Sequence, residues 1–345
     1  MLALVAEPGH AHTTRVEDVP GVEAREGEVL VRTLEVGVCG TDREISEGLF
    51  GIAPEHERLL VLGHEALGVV ERGGYGFTNG QLVTATVRRS CGHCIACAEE
   101  SPDSCLTGDY SERGITRLHG YARELVAEDP TQLVAIPSSL GRLGVLAEPT
   151  SICERALRHA RTIGGRQPWQ LERALVLGAG AIGLLMTYLL RLGDVEVWTA
   201  SLEPENELVE ASGASYVPLQ GDDLAELGTF DLVVEAAGNV DLMARALGRL
   251  RRSGVACILG IDPRGQAVEI EGRVLGVDLI LENRVLFGSV NAARPDWLAA
   301  VADLDRARAR WPDALQQFVK LSVPLDRFAE AFEHRGGKAT LVLSD

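Results

Sequence analysis

The run Gly178-Ala-Gly180-Ala-Ile-Gly183 constrains this chain more than any other stretch. It follows the apolar run Ala174-Leu-Val-Leu177, opens the helical pattern Ile182–Leu192, and is succeeded by the β-type run Val195–Ala200. A G-x-G-x-x-G string recurs by chance in a chain with 38 glycines. Set between a strand and a helix, with a second strand inside about thirty residues, it is the turn that lays backbone against a pyrophosphate. Gly178 permits the turn, Gly180 lets the backbone approach the ligand, and Gly183 lets helix and strand pack closely. The helix N-terminus, with Ala181 and Ile182, then presents free N–H groups to the phosphates. A tight turn that binds nothing is the plain alternative.

The surrounding pattern agrees with a doubly wound domain. Arg173–Leu177, Val195–Ala200, Leu232–Ala236 and Val255–Gly260 are four candidate parallel strands, Leu286–Val290 looks like a further one, and Ile182–Leu192 and Val240–Arg251 are helical segments between them. Strands alternating with helices argue for an α/β fold with a parallel sheet. The first 150 residues differ: short β-type runs such as Glu28–Leu34, Leu67–Glu71 and Leu82–Val87 are broken by glycine, as in a compact, mostly β domain. Helical spacing over Leu146–Arg161 marks the change of character, and the last 45 residues return to mixed helix and strand. The expected boundaries are 1–155 for the β-rich domain, 156–292 for the dinucleotide-binding domain, and 293–345 for a tail that rejoins the first.

Charge and composition narrow the function. The chain carries 50 acidic and 33 basic residues, a formal charge of −17, which disfavours gripping nucleic acid or an anionic membrane. No apolar run approaches the roughly 18 residues of a membrane span, and Met1-Leu-Ala-Leu-Val-Ala6 reads as a strand rather than a signal peptide. Seven cysteines, four of them within fifteen positions, point to metal rather than disulfides and to the cytoplasm. Only Lys320 and Lys338 are lysines, a bias with no functional account in the sequence.

Cys91-x₂-Cys94-x₂-Cys97-x₇-Cys105 places four thiols on a short loop. Four thiolates satisfy tetrahedral zinc and close it to water, a structural role; ferredoxin-like spacing keeps an iron–sulfur cluster as the alternative. His93 is a bystander inside this loop, and Cys153 and Cys257 read as core. A second ligand set is more dispersed. Cys39, His64 and Glu65 offer the donor types that zinc accepts, and Glu148 adds a carboxylate just before the domain boundary. At the end of the second α/β strand, Ser201 stands where an acidic residue usually holds the adenosine ribose, with Glu203 two residues later. Carboxylates here and no nearby cation favour NAD over NADP, which is left possible.

Gly63-His64-Glu65-x₂-Gly68-x₅-Gly74, the cysteine lobe and Gly178–Gly183, in this order, resemble the zinc-dependent medium-chain dehydrogenases over essentially the whole chain. Within that superfamily, Cys39–Ile45, Val61–Val70, Glu112–Tyr121, Asp129–Pro137 and Gly288-Ser-Val-Asn291-Ala are similar to the archaeal-type glucose 1-dehydrogenases. The resemblance implies a GroES-like β-rich catalytic domain and a Rossmann cofactor domain. It also implies two zinc ions per chain, the catalytic one on Cys39, His64 and Glu65 with Glu148 direct or through water. Thr41 would relay a proton from the substrate, Glu112, Glu148 and Asn291 would touch sugar hydroxyls, and Asn291 would also meet the cofactor. Val87 stands where some relatives have a sugar-binding asparagine, and Leu202 and Glu203 replace the arginines some use for NADP.

The implied reaction is oxidation of D-glucose or a related aldose at C1 to the lactone, with hydride transfer to NAD(P). The expected partners are a small sugar and further copies of the chain, as a dimer or tetramer, with no nucleic acid and no membrane. The same machinery acting on a polyol or amino alcohol of the sorbitol or threonine type is the nearest alternative. A non-catalytic protein on the same fold is more remote, since Cys39, Thr41, His64 and Glu65 are all intact.

Overall fold

The computed structural model describes residues 1–220, 223–262, 265 and 267–344. Two compact units emerge: Met1–Ser151 with Asn291–Asp305 and Val319–Asp345, and Ile152–Val290 with Arg306–Phe318. Residues 293–345 are thus shared between the two units. Among the described residues no helix is long and apolar enough to cross a membrane.

The first unit is organised on the ten-residue strand Val29–Val38, which is rich in the β-branched residues that suit a pleated, half-buried surface. It pairs antiparallel with Glu65–Arg72, with Leu125–Glu128 and with Lys338–Val342. Val29, Val31 and Val36 pack with Ala66, Val70, Val83, Val126 and Leu133 in one core. Gly37 faces Glu65 and Val38 faces Ala339, so three strands converge where the chain reaches Cys39, His64 and Lys338.

In the second unit, six parallel strands lie in the order Ser215–Pro218, Glu196–Ser201, Arg173–Leu177, Phe230–Glu235, Leu250–Ile258 and Val285–Gly288. The chain order 3-2-1-4-5-6 is that of the doubly wound dinucleotide fold, reversing between Arg173–Leu177 and Phe230–Glu235. Ala174 to Leu177 are fully buried, as a central parallel strand requires.

One expectation changes, and one strand went unmarked in the sequence. The helix expected over Val240–Arg251 ends at Ala246 and passes through a tight turn at Leu247–Arg249. Leu250 then begins the next strand opposite Phe230. Both side chains are fully buried, so sheet packing overrides the helical spacing. The strand Ser215–Pro218 has no period of its own; it sits at the sheet edge, where a proline is tolerated.

Candidate functional site

Cys39 ends the central strand and caps the helix Gly40–Ser46. Its Sγ accepts from the Thr41 N–H at 3.3 Å, while its own N–H donates to Asp42 Oδ2 at 3.0 Å. His64 and Glu65 open the adjacent strand, and the donor atoms of Cys39, His64 and Glu65 all lie within 4.8 Å of one another. Cys39 Sγ is 3.1 Å from His64 Nε2. Two such ligands on tetrahedral zinc would stand about 3.5 Å apart, so a small relaxation accommodates the ion.

The surroundings fit a cation. His64 Nδ1 faces Asp42 Oδ1 at 3.6 Å, both atoms are buried without a hydrogen-bond partner, and both side chains are nearly inaccessible. A carboxylate behind a ligating imidazole orients the ring and raises its basicity. Burial alone would push the His64 imidazolium pKa down; the Cys39 and Asp42 charges outweigh it and hold the pKa well above the usual range. A cation on Nε2 takes the place of that proton. Glu148, in the first turn of the helix Ala147–Gly164, is buried; its carboxyl is pushed up to about 8, first by burial and then by the Glu65 charge.

Sequence reading missed Lys338. Its Nζ, on a side chain 3% exposed, donates to Glu65 Oε1 at 2.7 Å and Oε2 at 2.5 Å. Glu65 Oε2 lies so close to Gly37 that a Cβ there would come within 2.1 Å of it. The glycine and the lysine together fix this carboxylate. Each oxygen keeps a second lone pair, so holding Lys338 leaves capacity for a metal. A lone lysine 273 residues from its partner carries no local pattern that could have announced it.

The four thiols also come together. The Sγ atoms of Cys91, Cys94, Cys97 and Cys105 lie within 4.8 Å of one another. Cys94 and Cys105 are 3.9 Å apart, close to the edge of about 3.8 Å that a tetrahedral zinc–sulfur site has. The N–H groups of Cys94 and Cys97 point at Cys91 Sγ and Cys94 Sγ, each at 3.4 Å. The Thr107 hydroxyl and backbone N–H donors bring the Cys91 thiol down to about 5, whereas burial pushes Cys97 up to about 11. His93 is exposed with Nδ1 on the Cys91 carbonyl, and Cys153 and Cys257 are fully buried.

Glu112 and Asn291, 179 residues apart, meet: Asn291 Nδ2 donates to Glu112 Oε1 at 2.8 Å. Asn291 has φ +63° and its Oδ1 accepts from Ala292 N–H at 2.8 Å. Arg88, also outside the sequence reading, reaches the same Glu112 oxygen at 3.0 Å. Val87 is buried.

In the second unit the glycine loop divides its labour. Gly178 has φ +104°, and a Cβ on it would lie 2.9 Å from Ala237 Cβ; a Cβ on Gly183 would fall 1.9 Å from the Gly178 carbonyl oxygen. Gly180 is different: a Cβ there would meet no protein atom within 4 Å. As N-cap of the helix Ala181–Leu192 it offers no side chain to the first-turn N–H groups of Ala181, Ile182 and Gly183. Open space and uncapped donors fit a phosphate. At the end of the next strand Ser201 Oγ donates to Glu203 Oε2, and the Tyr216 hydroxyl donates to the Glu203 carbonyl at 2.7 Å.

Comparison with known proteins agrees with this arrangement. Residues 25–138 match the alcohol dehydrogenase GroES-like domain, and residues 141–344 match the glucose dehydrogenase C-terminus. The glucose 1-dehydrogenase of Methanocella arvoryzae is 39% identical over 345 residues, covering 96% of each chain. Glucose 1-dehydrogenase 1 of Caldivirga maquilingensis is 38% identical over 342 residues, 96% of this chain and 95% of its own. The solved structure of Haloferax mediterranei glucose dehydrogenase in complex with NADP, zinc and gluconolactone superposes with a TM-score of 0.90 at 32% identity, over 100% of both chains.

Proposed function

Because the chain belongs to the glucose dehydrogenase family of zinc-dependent medium-chain alcohol dehydrogenases, we propose that it oxidises D-glucose, or a related aldose, at C1 to the lactone with hydride transfer to NAD(P). The observation that carries this reading is the convergence of Cys39, His64 and Glu65 on one buried point. The first unit supplies the catalytic residues and the second the cofactor site.

Zinc held by Cys39, His64 and Glu65 supplies Lewis acidity at the C1 oxygen, and a nicotinamide supplies the hydride acceptor. The rest of the work falls to the chain. The Asp42 charge, 3.6 Å behind His64 Nδ1, makes the imidazole a more basic ligand, and Lys338 holds the Glu65 carboxylate against Gly37. Thr41, on the helix that Cys39 caps, accepts the substrate hydroxyl proton at Oγ1 as its own hydroxyl proton leaves towards solvent. Glu112 and Asn291 orient the sugar through its hydroxyls, with Glu148 beside the metal. Cys91, Cys94, Cys97 and Cys105 hold a second, structural zinc, which the family membership favours over an iron–sulfur cluster. Gly178, Gly180, Ala181, Ile182 and Gly183 cradle the pyrophosphate.

NAD is the preferred cofactor and NADP the poorer one. Ser201 and Tyr216 tie down Glu203, whose carboxylate accepts from ribose hydroxyls and repels a 2′-phosphate. The Haloferax relative was solved with NADP; the NAD preference rests on this chain's own acidic corner, Glu203, Glu205 and Glu207. A cytoplasmic homo-oligomer, dimer or tetramer, completes the proposal. The open edge strand Val285–Gly288 and the neighbouring Ile280 and Leu281, 66% and 67% exposed, support assembly.

A panel of aldoses, polyols and amino alcohols with NAD and NADP, followed by cofactor absorbance alongside elemental analysis, tests the reading. The expected result is turnover of glucose with two zinc ions per chain, abolished by His64→Ala. Turnover of sorbitol or threonine without glucose would sink it.

A further inference from the structure

Arg88 is a buried arginine, 6% exposed, placed between the four-thiol lobe and Glu112. Its Nε donates to Glu112 Oε1 at 3.0 Å, and Nη2 stands 3.0 Å from the same oxygen. Nη1 donates to the Asp103 carbonyl at 3.0 Å, within the turn Pro102–Ser104 that leads the lobe into Cys105. The guanidinium carbon lies 3.8 Å from the centroid of the Tyr110 ring, which fixes its plane. With Asn291 Nδ2 also on Oε1 at 2.8 Å, three donors converge on one carboxylate oxygen. Oε2 accepts from none of these three.

We infer that Arg88 is a positioning residue: it holds Glu112 with Oε2 turned out for a sugar hydroxyl, and through Asp103 it links sugar affinity to the state of the four-thiol lobe. This rests on the reading of Glu112 as a sugar contact. Arginine suits this place because its planar fork fixes the directions of its donors, whereas a lysine ammonium is a point charge that can hold two acceptors without fixing their orientation. The lobe is then more than a clip on the fold, since slackening the turn at Asp103 lets the guanidinium, and with it Oε2, drift.

The test compares Arg88→Met, Arg88→Lys, Glu112→Gln, Cys105→Ser and the Arg88→Met/Cys105→Ser pair. Glucose binding is measured by calorimetry on the enzyme saturated with reduced cofactor, where no turnover occurs. KM, kcat and zinc content are measured in parallel. Loss of a charge-assisted contact should raise glucose Kd and KM about tenfold in Arg88→Met, with kcat changed by less than about threefold. Arg88→Lys should fall between parent and Arg88→Met. Cys105→Ser should weaken glucose binding too, and adding it to Arg88→Met should weaken it no further, because its effect travels through the arginine.

Parental glucose affinity in Arg88→Met, or in Arg88→Lys should the methionine variant not fold, overturns the positioning role while leaving a defect in Glu112→Gln intact. Additive effects in the double variant overturn the link to the lobe. Parental affinity in Glu112→Gln overturns the sugar contact itself and the inference with it.

Discussion

Replacing Lys338 by methionine removes the buried cation that touches Glu65 and keeps most of the side-chain volume. The two side chains are 3% and 2% exposed and joined by two short charge-assisted bonds, so the carboxylate left behind has no water to turn to. Breaking a buried pair from one side costs about 3–5 kcal/mol. For a unit of this size that lowers Tm by roughly 6–20 °C in protein stripped of metal. A zinc ion beside Glu65 restores a positive charge, so the loss in zinc-loaded protein should be less than about half as large. Removing both charges in Glu65→Gln/Lys338→Met should recover most of the stability, since neither partner is then stranded. Differential scanning calorimetry on stripped and loaded samples reads all three quantities. A drop below about 2 °C in the stripped variant, or equal drops with and without zinc, would refute the argument that this lysine serves as counter-charge to Glu65.

The glycine loop should separate fold from binding. Gly183→Ala, forced against the Gly178 carbonyl, should destabilise the unliganded protein, whereas Gly180→Ala should leave its Tm nearly unchanged and raise cofactor Kd by fluorescence titration. In a Leu202→Arg/Glu203→Arg variant the kcat/KM ratio for NAD over NADP, expected above one in the parent, should fall; an NADP preference in the parent would defeat the proposal for this corner. Glu128 sets an acid limit. Burial by itself would push its carboxyl up, but Arg89, Arg113 and the Tyr121 hydroxyl outweigh burial and hold it below the usual range. A depressed folded pKa gives stability that is complete above the unfolded value of about 4.3 and lost as pH falls through the folded value. Glu128→Gln should therefore lower the urea midpoint at pH 7 and flatten its decline in acid, measured from about pH 7 to 3.

Much of this molecule is legible in one dimension because its chemistry is local. The strand–turn–helix around Gly178–Gly183 encodes a doubly wound unit: positive φ at Gly178 and the 1.9 Å clearance at Gly183 leave those positions to glycine. The four cysteines converge because they lie within fifteen residues. Helix ends are less legible. Val240–Arg251 carries helical spacing throughout, yet Leu250 is drawn into the sheet opposite Phe230, a contact that no window of sequence contains.

The residue types of the site are thus a property of the sequence, and their partners are a property of the fold. Cys39, His64 and Glu65 stand out by motif, but only the register Gly37–Glu65 and Val38–Ala339 brings Lys338 onto the carboxylate. One of two lysines, inconspicuous in sequence, becomes the counter-charge of the candidate metal site. Glu112 likewise stands out by resemblance, while which of its oxygens is taken depends on Arg88 and Asn291, 24 residues and 179 residues away. Short-range geometry is written by neighbouring residues, whereas a buried charge must find its partner wherever the packed strands deliver one, because it has no water to fall back on.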